Sequence, residues 1–136
     1  MRSLLITVLV YLPSAFAGDG VDRTNLAGTW EDSGSRWVIE NKGDSMHFAY
    51  SENGQPAAEF QCEVGGKECE VKDNGKKAKV MLWFNGPKLV QMETRGSEVF
   101  KRRFSASTDE MEVETIPITP DGKPQVAKLK RVKTAQ

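Results

Sequence analysis

Arg102 is the charged side chain with the most to explain. It alternates with Phe100 and Phe104 in Val99-Phe100-Lys101-Arg102-Arg103-Phe104, and the two-residue period of a strand carries all three to one face. If that face is the buried one, the guanidinium must meet a carboxylate, reach water or receive an anionic ligand, because an unpaired charge out of water is costly. A bulge that shifts the count and sends Val99, Lys101 and Arg103 inward is the competing account. Cys62 and Cys69 flank Gly65-Gly66. With that pair as a two-residue hairpin loop, Cys62 stands opposite Cys69 at a Cα separation of about 4.5 to 5.5 Å, which a disulfide spans. A redox or metal role would need a CxxC spacing or nearby histidines, and the sequence has neither. The single histidine, His47, falls with Ser45 and Ala49 on the polar face of its segment. Glu112 and Glu114 have the spacing of a paired-carboxylate hydrolase, but they alternate with Met111 and Val113 and read as a solvated outer face. No catalytic residue, metal site or cofactor is expected from these patterns, and the chain reads as a non-enzyme.

The elements that position these residues are short strands. Turn signals recur at Gly43-Asp44, Asn53-Gly54, Gly65-Gly66, Asn74-Gly75, Asn85-Gly86, Arg95-Gly96, Ser107 to Asp109 and Asp121-Gly122, with a further break at Asp32 to Ser35. Asn-Gly and Gly-Gly supply the positive φ angles of tight hairpins, so each marks a reversal between antiparallel neighbours. Ten segments result. Their alternation places Met46, Phe48 and Tyr50 inward, then Phe60 and Cys62, then Val80, Leu82 and Phe84. The same rule sends Val90 and Met92 inward, followed by Phe100 and Phe104 and by Met111 and Val113. Met81 and Trp83 fall on the outer face, where they could meet a second copy, so a monomer or weak homodimer is expected. The expected fold class is all-β: one antiparallel up-and-down meander barrel of about ten strands with no substantial helix, since closure removes the edges. A two-sheet sandwich is the alternative.

Residues 1–17 read as a cleavable signal peptide. Arg2 precedes the apolar run Leu4 to Leu12, Pro13 ends it, and Ala15-Phe16-Ala17 supplies a cleavage site. The run is too short for a membrane span. This reading places the protein outside the cytoplasm, in the periplasm or secreted, after cleavage near Ala17, with a lead-in at 18–25, the barrel at 26–133 and a tail at 134–136. Arg2 is the one charge in the first seventeen residues, so the 19 Lys and Arg become 18 after export, against 19 Asp and Glu. That balance gives no footprint for a nucleic acid.

Leu26-Ala27-Gly28-Thr29-Trp30 resembles the Gly-x-Trp opening of lipocalins, fatty-acid-binding proteins and avidins, and Lys130-Arg131-Val132 looks like their last strand. The resemblance is to calycin-type barrels, most closely to small exported bacterial lipocalin-like domains of unassigned activity. It implies a barrel floor made by Gly28, Trp30 and Arg131, the guanidinium lying over the indole. The polar link Gly34-Ser35 with Tyr50 is similar to the avidin pattern, which implies ligand contacts at Ser35 and Tyr50. The link from Glu31 to Arg36 is too short for the helical lid of fatty-acid-binding proteins. The expected function is to hold a small apolar or amphiphilic molecule in an interior lined by Phe48, Tyr50, Phe60, Leu82, Phe100 and Arg102. The alternative is a packed barrel that acts as an interaction or inhibitor module through its outer surface. Interior volume distinguishes the two.

Overall fold

A computed structural model describes residues 22–73 and 76–133. The expected signal segment and the tail at 134–136 lie outside these residues. Ten antiparallel strands follow one another: β1 (Gly28–Glu31), β2 (Ser35–Asn41), β3 (Ser45–Glu52), β4 (Gln55–Glu63), β5 (Cys69–Asp73), β6 (Lys76–Asn85), β7 (Lys88–Arg95), β8 (Glu98–Ala106), β9 (Glu110–Thr119) and β10 (Gln125–Arg131). Each pairs with the next, and β10 returns to β1 through Trp30–Arg131 and Glu31–Lys130, so the sheet closes into an up-and-down barrel. The expected all-β meander is the observed fold. Among the described residues the one helical element is a 3-10 turn at Arg23–Leu26, which runs from the expected lead-in into the first residue expected of the barrel.

That turn seals one end. Asp22 caps it by accepting from Thr24 N and Thr24 Oγ1 at 2.8 and 2.9 Å, and these bonds hold its carboxyl below the usual aspartate range. Leu26 is fully buried and accepts a hydrogen bond from Trp30 Nε1 at 2.9 Å. Arg131 lies over the Trp30 ring, its Cζ 4.2 Å from the centroid, and donates to the carbonyls of Asn25, Ala27 and Thr108. Gly28 has φ +142°, and a Cβ there would overlap the Arg131 guanidinium. The backbone thus comes close because that residue has no side chain.

Above this floor the interior is apolar and aromatic. Phe48 stacks on Phe60 with centroids 5.0 Å apart, and Phe104 meets both Phe48 and Trp37. Val80, Leu82, Leu89, Met111 and Leu129 fill the space between them.

Two expectations need correction. Val90 and Met92 lie on the outer side of the sheet, where they pair with Trp83 and Met81 and Val90 is covered between Trp83 and Arg103, while Leu89, Gln91 and Glu93 of β7 point into the barrel. Apolar alternation chose the wrong face of β7 because the inward face carries two polar side chains. The Gly65-Gly66 segment is also not a two-residue hairpin. Val64 N donates to Asp44 O, and the Gly65 and Gly66 amides both donate to Leu82 O, so the loop reaches past β5 to β6. Among the described residues, β4 and β5 pair only at Ala58–Asp73 and Glu59–Lys72. The Cys62–Cys69 disulfide joins them further along, at a Cα separation of 6.0 Å and in the same register.

Candidate functional site

The end opposite the floor is polar inside. Gln91 and Glu93 are fully or almost fully buried on β7, and Arg102 stands across from Gln91 on β8. Arg102 Nη1 donates to Gln91 Oε1 at 3.2 Å and lies 3.8 Å from Glu93 Oε1, while Gln91 Nε2 donates to the same carboxylate oxygen at 3.0 Å. Arg95 approaches Glu93 Oε2 at 3.3 Å. Both Arg95 and Arg102 thus approach the buried carboxylate of Glu93. Aromatic faces support both cations: Arg102 lies over Phe100 and Trp37, and Arg95 over Phe100.

Tyr50 completes this end. Its ring packs on Trp37 with centroids 4.4 Å apart, and its hydroxyl is 3.5 Å from Ser35 Oγ. Burial pushes the phenol above its ordinary value, and a hydrogen bond to Ser35 and the charge of Arg102 act in the other direction. Two cavities open here. One, of about 190 Å³, is lined by Ser35, Trp37, Tyr50, Arg102, Thr115 and Leu129 among others. The other, of about 310 Å³, is lined by Arg95, Phe100, Arg102, Thr115 and Pro117 among others. Arg102 and Thr115 border both.

The residues expected to line a ligand site divide into two groups. Tyr50, Phe100 and Arg102 border these cavities, whereas Phe48, Phe60 and Leu82 are buried below them in the packed core. Gly28, Trp30 and Arg131 are together at the floor. Cys62 is buried beside the core and Cys69 is half-buried. Of the alternatives for Arg102, a carboxylate partner is present in Glu93. Sequence reasoning missed Gln91, Glu93, Arg95, Trp37 and Thr115. The signal was the tight turn that follows Arg95: a two-residue loop, here Gly96-Ser97, pairs residues whose numbers sum to an odd value. An inward Phe100 and Arg102 thus require odd-numbered inward partners on β7. His47 lies on the outer face between Glu40 and Glu59, with its ring nitrogens 3.2 and 2.8 Å from their carboxylates. Glu114 faces Arg103 outside at 3.3 Å.

No protein-family model matches the chain, and no curated protein is significantly similar to it in sequence. Solved structures do match. The chain is similar to fatty-acid-binding protein 1 of Echinococcus granulosus at TM-score 0.68 and 9% identity, covering 81% of this chain and 99% of that one. It matches a Schistosoma mansoni fatty-acid-binding protein in complex with arachidonic acid at 0.68 and 14%, covering 82% and 99%. Secretory abundant heat soluble protein 4 of Ramazzottius varieornatus gives 0.66 and 14%, covering 79% and 94%. The likeness is one of fold. It shows that the chain shares their barrel architecture, here ten antiparallel strands closed on themselves, and nothing in it supports the expected closeness to bacterial domains.

Proposed function

We propose that the barrel holds one small amphiphile at its open end, with an anionic head group against Arg102 and an apolar portion toward Trp37, Tyr50 and Phe100. The observation that carries this reading is the pair of cavities that meet at Arg102, whose guanidinium borders both. A guanidinium on aromatic walls with a hydroxyl at Thr115 suits a carboxylate or phosphate head group. The aromatic packing of Phe48, Phe60 and Phe104 limits how deep a tail can go, which favours a short or bent ligand over one that fills the barrel. The fatty-acid-binding neighbours are consistent with an apolar tail, and the reading of residues 1–17 puts the activity outside the cytoplasm.

Native mass spectrometry of the exported protein, followed by thermal shifts with matched short-chain carboxylates, phosphates and neutral alcohols, tests this. Stabilisation by the anionic series that is lost in Arg102→Gln is the expected result. No co-purifying ligand and no shift from any series would favour the second reading, an interaction or inhibitor module working through the outer surface, to which the filled lower interior already lends weight.

A further inference from the structure

The outer face of β6, β7 and β8 has a composition unlike the chain as a whole. Its outward positions are Lys77, Lys79, Met81 and Trp83 on β6, Lys88, Val90 and Met92 on β7, and Lys101 and Arg103 on β8. Cross-strand pairing sets Met81 beside Met92 and Trp83 beside Val90, then Met92 beside Lys101 and Val90 beside Arg103. An apolar centre is therefore ringed by five cations. The only acids between residues 76 and 106 are Glu93 and Glu98. Glu93 is buried inside the barrel, and Glu98 pairs across the hairpin with Arg95, on the inward register at the rim. Acids from neighbouring segments reach this face at its borders, Glu68 at 3.9 Å from Lys79 and Glu114 at 3.3 Å from Arg103, and Glu70 pairs across β5 with Lys79. Such exposed pairs are weak and leave much of the local potential in place.

We infer that this face docks the barrel onto the surface of an anionic lipid bilayer. Lysine stems bury their methylenes at the level of the head groups while their ammonium groups meet phosphate and carboxylate, and tryptophan favours the same depth. The half-buried Met81, Trp83 and Met92 give the apolar contact that such an interface uses. A nucleic acid would engage the cations and leave the half-buried methionines and Trp83 against water. A second copy packed on the same face would set lysine against lysine. The inference is independent of what the interior binds, because none of these residues lines the mouth cavities.

Trp83 provides its own probe, since Trp30 and Trp37 are buried. The protein is mixed with phosphatidylcholine vesicles, with and without about one third phosphatidylserine, at low and high salt. Co-sedimentation with the anionic vesicles only, a blue shift in tryptophan emission and release by salt are expected. Lys79→Glu combined with Lys101→Glu should weaken binding at least about tenfold. Lys128→Glu, three strands round the barrel from β7, should leave it unchanged, and each variant should keep its Tm and its response to the short-chain anionic series. Absence of binding to the anionic vesicles, equal binding to neutral ones, or an equal loss with Lys128→Glu would overturn the assignment. So would tighter binding to duplex DNA than to vesicles, or a dimer that the double charge reversal dissolves.

Discussion

Glu93 is the residue on which the polar interior turns. It is nearly fully buried and is approached by Arg95 and Arg102 as well as Gln91, so Glu93→Ala would remove a buried carboxylate from both arginines at once. Urea unfolding should show a loss of about 2 kcal/mol or more with an unchanged m-value. Arg102→Gln should cost less, because its side chain keeps partial access to water. Tyr50 reports on the same end. Its phenol is raised chiefly by burial, so the folded state favours the protonated form. The resulting stability is complete below the ordinary tyrosine value and is lost as pH rises from that value through the folded one. The chain has two tyrosines, and the other is Tyr11. In protein prepared without residues 1–17, phenolate absorbance belongs to Tyr50 alone and should appear at higher pH in the folded protein than in urea.

At the level of elements, the turn residues made most of the barrel legible. Asn53 and Gly54 both have positive φ, as their types demanded, and the reversals placed all ten strands. Legibility failed where the local rule met a non-local requirement. β7 was misread because its inner face serves Arg102 rather than the apolar core, and hydrophobicity alone could not see a partner on the next strand. The β4–β5 connection was misread because Gly65 and Gly66 give their amides to Leu82 of β6, a contact that no spacing within the segment announces. The cysteine register survived because it depends on pairing further down the strands. With so little ladder between β4 and β5, the bridge has more to hold than it would in a fully paired hairpin. Reduction, or Cys62→Ser with Cys69→Ser, should lower unfolding stability by about 2 to 3 kcal/mol. Hydrogen exchange should rise first at residues 60–63 and 69–71. At the floor, Gly28→Ala should cost about 1 to 3 kcal/mol through its positive φ and the displaced Arg131, measured by thermal unfolding.

For the molecule as a whole, net charge conceals arrangement. The sum is zero, yet cations gather outside β6 to β8 while acids such as Glu40, Glu59, Glu63, Glu110 and Glu112 stand on other strands. At pH 7 and low salt the protein should be retained on a cation-exchange resin despite its neutrality. Modest salt should release it, and the Lys79→Glu, Lys101→Glu variant should flow through. The sealed end has a different consequence. Asp22 N bonds to Ala106 O and Val132 N to Thr29 O, so both ends of the described chain leave the barrel beside the Trp30 floor. A fluorescent fusion or a resin linker joined directly before Asp22 or after Lys133 would stand away from the opening, and protein immobilised that way should take up solutes as freely as protein in solution.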